Sequence, residues 1–217
     1  MKEEKNNSVK ADVTSSAVLN TDCMLAMKNY PDKFFNLAIV DPPYGIGLNE
    51  MALGSGRWKD GKKWDDATPT GEYFNELWRV SKNQIVWGMN FLNDYLPKCN
   101  MTIVWDKENG NSFGSDYELA WTSFESKRQR IFRQFWISNM IPAEEKPRIH
   151  PAQKPIKLYE WILKEFATKG DLILDPFLGT GTTLEACKNT QRNGIGIELN
   201  DRFIPYAEEV IKQNISK

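Results

Sequence analysis

Short runs that are apolar throughout alternate along this chain with segments whose apolar residues recur every three or four positions. The first kind reads as strands covered on both faces: SAVLNTD (16–22), FNLAIVD (35–41), NQIVWGM (83–89), MTIVWDK (101–107), YELAWTSF (117–124), DLILDPF (171–177) and NGIGIEL (193–199). The second kind reads as helices: CMLAMKNYPD (23–32), ended by Pro31, then TPTGEYFNELWRVS (68–81), capped by Thr68 or Thr70, and NFLNDYLPK (90–98). Three more follow: PIKLYEWILKEFAT (155–168), stopped at Gly170, then GTTLEACKNT (181–190) and DRFIPYAEEVIKQNI (201–215). Two stretches show neither period. Residues 45–66 are glycine-rich and basic, and residues 125–148 are irregular, broken by Pro142 and Pro147. Strands alternating with helices predict an α/β fold, a mostly parallel twisted sheet with helices on both faces. The tryptophans at 78, 87 and 161 read as core, while WDKENGNSFGSDYELAW (105–121) reads either as a second rim loop at the sheet edge or as a surface connection with Trp105 and Trp121 in the core.

Composition narrows the class. The 217 residues suffice for one domain with a real core, read here as 1–217 with a polar leader over 1–16. No apolar run is long enough to cross a bilayer, and the leader lacks the apolar centre of a signal peptide. Cys23, Cys99 and Cys187 lie far apart without paired spacing, which suggests neither disulfides nor a metal site and fits the cytoplasm. The net charge of −1 means that a polyanion must be met by a local patch.

DLILDPFLGTGTTLEA puts Gly179-Thr180-Gly181 between a strand and a helix, at the sheet edge where α/β proteins bind ligands. Glycine lets a ligand approach the backbone closely. Seventeen residues beyond Gly181, Glu198 ends a strand, and an acid there can accept hydrogen bonds from both ribose hydroxyls of a nucleoside. The dinucleotide fingerprint wants glycine at position 184, where this chain has Leu184, so a nucleoside without a diphosphate fits better.

The other signal is IVDPPYGIGLNE (39–50), a buried strand that runs into an acid, two prolines and an aromatic ring. The prolines fix the backbone and leave carbonyls outside the ladder. Asp41 and the Pro42 carbonyl then make two preset acceptors, with the Tyr44 ring beside them. That is a holder for a planar group bearing an NH2, as adenine and cytosine do. Two in-plane acceptors can localise the nitrogen lone pair and make it nucleophilic.

DPPY together with DPFLGTGTT and HPAQKP (150–155) strongly resembles the amino-group DNA methyltransferases that use S-adenosylmethionine. The motif order, DPPY first and glycine loop last, is similar to that of their circularly permuted β group. The resemblance runs from about Val18 to the last helix. It implies a Rossmann-like methyltransferase fold and S-adenosylmethionine as cofactor, with no metal and no membrane. It also implies that Asp41, Pro42, Pro43 and Tyr44 hold a flipped-out DNA base. Phe177, Gly179 and Gly181, after Asp175, would line the methionine part of the cofactor, and Glu198 its ribose. Lys154 and the helix start at Thr182 and Thr183 would take its carboxylate, and Asp22 would lie near its adenine. An acid before Pro-Pro is typical of adenine-N6 members, which favours adenine. The alternatives are cytosine-N4 methylation and a catalytically silent DNA-binding subunit of the same fold.

Extruding a base costs a few kcal/mol, and stacking on Tyr44 can return roughly 1–3 kcal/mol. Two basic patches could grip the DNA backbone: Arg57, Lys59, Lys62 and Lys63, and then Lys127, Arg128, Arg130 and Arg133. Residues 45–66 and 125–149 are therefore read as DNA-facing. Larger family members insert a sizeable recognition region where this chain has only 125–149. A short site, a homodimer or a borrowed partner are the options that this length leaves. His150, the one histidine, reads as a positioning residue.

Overall fold

The computed structural model describes residues 15–47, 65–110, 114–126, 128–137, 142–143, 145, 148–150 and 152–212. Among them an eight-stranded sheet organises the fold. Its strands are β1 (Ala17–Asn20), β2 (Phe35–Val40), β3 (Ser81–Trp87) and β4 (Thr102–Asp106), then β5 (Tyr117–Thr122), β6 (Arg130–Arg133), β7 (Leu172–Asp175) and β8 (Asn193–Glu198). They lie in the order β1-β8-β7-β2-β3-β5-β4-β6. Every pairing is parallel except the two that β5 makes, with β3 and with β4.

The central strands are apolar throughout because both faces are covered. From β2, Ala38 and Val40 point to a core shared with α1 (Cys23–Met27) and α2 (Gly71–Val80). The alternate residues Leu37 and Ile39 join a second core with α3 (Ile156–Phe166) and α4 (Thr182–Asn189). The last helix, α5 (Ile204–Lys212), buries Ala207 and Val210 against Leu178 and Leu184. No helix among the described residues is long and apolar enough to cross a membrane.

Three elements differ from the sequence reading. Residues 130–133, read as irregular, form the edge strand β6. Its alternation is only four residues long, with basic side chains at both ends. Residues 90–98 make one 3-10 turn, Met89–Phe91, instead of a helix. Gly88 before it is left-handed at φ 72°, and Asn93 bonds back to the Asn90 carbonyl at 3.2 Å, a turn-forming contact that competes with helix. Helix α3 ends at Phe166, short of Gly170, because buried Arg192 donates to the Leu163 carbonyl at 3.1 Å and the Ala167 carbonyl at 2.5 Å. Thr70 is the N-cap residue of α2, although its side chain makes no capping bond.

Parallel neighbours β2 and β7 set the site. Leu37 pairs with Ile173, and Ala38 with Leu174. The chain leaves β2 toward α2 on one face and leaves β7 toward α4 on the other. Their carboxyl ends therefore flank a crevice, the place where open α/β sheets bind ligands.

Candidate active site

That crevice is a cavity of about 540 Å³, within the range of small-molecule sites. Asp41, Pro42, Pro43 and Tyr44 line it from the end of β2, and Asp175, Phe177, Gly179, Thr182 and Thr183 from the end of β7. Asp22, His150, Lys154 and Glu198 line it too. Chain segments more than a hundred residues apart thus meet in one place.

The loop after β2 is held from outside its motif. Fully buried Asp65 accepts the Tyr44 N–H at 2.6 Å and the Gly45 N–H at 3.0 Å. The Tyr44 ring stacks on Phe91, with centroids 5.2 Å apart and planes 17° apart. It also lies so close to Gly88 that any Cβ there would overlap it, so the left-handed glycine makes the slot in which the ring sits.

In this slot the Tyr44 hydroxyl donates to Asp41 Oδ1 at 2.5 Å. Asp41 Oδ2 faces Lys154 Nζ at 2.5 Å. Lys154, 4% exposed, also pairs with Glu118 Oε2 at 3.1 Å and donates to the Tyr44 hydroxyl at 3.4 Å. Glu118 Oε1 in turn meets Lys107 Nζ at 2.7 Å. Burial pushes the Asp41 carboxyl above its ordinary value and outweighs the pull of Lys154. The Glu118 carboxyl, despite burial, is drawn down to about 2 by Lys154 and Lys107. Burial alone would lower Lys154, but Asp41 and Glu118 together hold it above its ordinary value. With these three acceptors around it the Lys154 ammonium is directed to the acidic corner, on the side of the cavity where the resemblance implies a cofactor carboxylate as a further partner.

The other half of the cavity is built on β7 and β8. Glu198 Oε2 accepts the Gly179 N–H at 2.7 Å, and Oε1 accepts the Asn200 N–H at 2.6 Å. The acid and the glycine loop therefore form one unit at the mouth. Gly179 is left-handed at φ 56°, and nothing lies within 4 Å of where its Cβ would be. Gly181 departs from the expectation. It is not among the lining residues, and a Cβ on it would come within 2.9 Å of Ala207 Cα, so it serves the close approach of α5. Asp22 lines the cavity and caps α1 through Oδ1, accepting from Met24 N–H at 2.8 Å and Leu25 N–H at 3.1 Å. The His150 ring sits edge-on to Phe203, with centroids 4.9 Å apart.

Asp175 is buried beneath the glycine loop. It accepts the Phe177 N–H at 3.0 Å and the Thr183 hydroxyl. Burial raises its carboxyl from 3.8 to about 7 despite those bonds. Between these values the folded protein keeps a proton that the unfolded chain has released. The stability this group contributes is thus complete below about pH 4 and is lost as pH rises through 7. Compared with Asp175→Asn, the native protein should lose stability on the order of 4 kcal/mol from pH 4 to 8. Urea unfolding of both proteins across that range measures it, and parallel curves would contradict the protonated state.

Besides Asp65, two further residues outside the predicted set shape this site. Glu145 Oε2 accepts the Ile156 N–H at 2.9 Å and Oε1 the Lys157 N–H at 3.2 Å, capping α3 directly after Lys154. Glu118 is the other. The signal for it was an acid within an otherwise apolar strand, YELAWT.

The expected DNA contacts are less complete. Arg57, Lys59, Lys62, Lys63 and Lys127 lie outside the described residues. Arg130 pairs with Glu165 and covers the Trp161 ring, while Arg133 pairs with Asp106 at 3.3 Å. Both are partly neutralised by the fold, which the sequence did not signal. Arg128 is exposed. Among the described residues no group of three or more His, Cys, Asp or Glu is placed to hold a metal ion.

Known proteins resemble this chain along most of its length. A family model described as DNA methylase matches residues 81–209, more than half of the chain. Type II methyltransferase M.HpaI of Haemophilus parainfluenzae is 28% identical over 231 aligned positions, covering 87% of this chain and 72% of that protein. Type II methyltransferase M.HinfI of Haemophilus influenzae is 27% identical over 246, covering 91% and 68%. TTHA0409 of Thermus thermophilus, crystallised with S-adenosyl-L-methionine, shares the fold with a TM-score of 0.58 at 19% identity, covering 93% of this chain and 96% of that one.

Proposed function

The chain belongs to the DNA methylase family, and on that premise we propose that it methylates the exocyclic N6 amine of adenine in DNA. The observation that carries this reading is the shared cavity. The acid-Pro-Pro-Tyr loop and the Gly179–Glu198 unit face one space of about 540 Å³.

S-adenosylmethionine fits the second half of that space. Gly179 leaves open room beside its backbone, and Glu198 and Asp22 present acids at the mouth. Glu198 would hold the ribose hydroxyls, Asp22 would lie by the adenine, and Phe177 would flank the methionine chain. The first-turn N–H groups of α4 at Thr182 and Thr183 would meet the carboxylate. When bound, the cofactor supplies an electrophilic methyl group.

The chain's own residues prepare the amine. Asp41 and the Pro42 carbonyl accept its two N–H bonds and localise the nitrogen lone pair. Tyr44, backed by Phe91, offers a ring face to the extruded base. A carboxylate in place of a neutral acceptor strengthens the hold on the amine of either base; the preference for adenine rests on the acid before Pro-Pro that is typical of adenine-N6 members of the family. The order of the two motifs is that of the permuted β group, with residues 1–217 as one catalytic domain. The short stretch at 125–149 fits a short recognition site, or a homodimer in which a second copy completes it.

The test is incubation with methyl-labelled S-adenosylmethionine and unmethylated genomic DNA, then nucleoside analysis by mass spectrometry. Label in N6-methyladenine is expected. Label in N4-methylcytosine would keep the chemistry and overturn the base. Absence of label with cofactor bound would overturn DNA as the sufficient substrate. Absence of both would favour a silent subunit.

A further inference from the structure

We propose that Glu118 is a positioning residue for methyl transfer, keeping Lys154 a shared counter-ion rather than the sole partner of Asp41, with Lys107 fixing Glu118 in turn. This rests on the reading of Asp41 as acceptor for the target amine.

The four groups form a linear chain of alternating charge, Asp41–Lys154–Glu118–Lys107, with contacts of 2.5, 3.1 and 2.7 Å. They come from four separate segments: the β2 loop, the stretch before α3, β5 and the end of β4. All are largely buried, with side chains 16%, 4%, 24% and 14% exposed. Charges are costly to bury, and a chain of four needs more than stability to account for it, since apolar side chains of similar size would serve packing as well.

Its geometry suggests what that is. A lysine bound to Asp41 alone would make a closed ion pair, and such a carboxylate is a weak acceptor for a third group. Glu118, at 3.1 Å, takes part of the ammonium's interaction while Lys154 stays nearer Asp41, at 2.5 Å, so Asp41 does not hold the ammonium alone. Lys107 stops Glu118 from swinging into the base pocket. The single antiparallel strand β5 aims Glu118 at the carboxyl edge: Glu118 lies opposite Trp105, and the Lys107 N–H bonds the Asp116 carbonyl at 2.9 Å beside it. The other titratable groups facing Asp41 are Tyr44 on its own loop, Tyr159 of α3 and Asp175 of β7, while Arg148 faces Glu118. None of these bonds Lys154 besides Tyr44.

The test is the pH profile of single-turnover methylation by Glu118→Gln and Lys107→Gln beside the native protein. Loss of the Glu118 charge removes a negative neighbour of Asp41, so the acid limb should move to lower pH. Loss of the Lys107 charge unmasks Glu118, so the limb should move to higher pH. The plateau rate of Glu118→Gln should fall about ten- to hundredfold, with cofactor affinity unchanged. Opposite shifts cannot come from general damage to the fold, and either variant alone decides the sign. Limbs that stay in place or move together, or a native plateau in Glu118→Gln, would overturn the proposal. If the native protein methylated no DNA, Asp41's assignment would fail first. NMR titration of the Lys154 ammonium would then still test Glu118's hold on it: a lowered value in Glu118→Gln is expected, and an unchanged one would refute it.

Discussion

Asp41→Ala should reduce methyl transfer by about a thousandfold or more while cofactor affinity stays within a few fold of native. On the proposed reading the carboxylate is the charged acceptor for the target amine, and its partners are Tyr44 and Lys154 rather than the Gly179–Glu198 half of the cavity. Removing one partner of a buried ion pair ordinarily costs about 3–5 kcal/mol because it strands the other charge. Here Lys154 keeps Glu118 at 3.1 Å, so the variant should still fold. Asp41→Asn preserves shape and removes only charge, and it should lose nearly as much activity. Single-turnover assays with labelled cofactor give the rate, and calorimetry gives the affinity. Native turnover in either variant would sink the role given to this loop.

Gly179→Val should lower cofactor affinity at least about a hundredfold, read by calorimetry on folded protein. Two effects combine. A β-branched residue is strained at φ 56°, where the native backbone sits. Its side chain would also project into space that is open in the native cavity. A shift of residue 179 that breaks its 2.7 Å bond to Glu198 would also release the acid proposed to hold the ribose. Native affinity in a well-folded Gly179→Val would remove the glycine loop from the binding site.

Much of this is legible in the amino-acid sequence alone. The seven apolar runs mark seven of the eight strands, most plainly at β2 and β7, central parallel strands buried on both faces that carry their signal without help from neighbours. DPPY and the glycine loop declare themselves because proline and glycine restrict or free the backbone in ways a strand end seldom needs. What stays hidden depends on distance. Asp65, Glu145 and Glu118 act on segments they reach only after folding: Asp65 on the Tyr44 backbone, Glu145 on the start of α3, Glu118 on Lys154. An acid's partner 11 to 36 residues away leaves no local pattern. Lys154 shows the same limit. Its motif locates it correctly at the cavity, but only the fold reveals that its ammonium is turned to the acidic corner. The edge strand β6 escapes because four residues with arginines at both ends look like a charged loop.

Strand β1 docks on β8, Ala17 opposite Ile195, so residues near one end of the sheet sequence wait for residues near the other. Closing so long a loop is slow relative to forming local pairs. While the chain is being synthesised, β2 and β3 can pair early, but β1 has no neighbour until β8 emerges. Asp22 follows β1 and Glu198 ends β8, so both acids at the cavity mouth arrive in the same late step. On the proposed reading, the space between Asp22 and Glu198 is completed only when β1 and β8 meet, and a cofactor bound there would act as a clasp between these two strands.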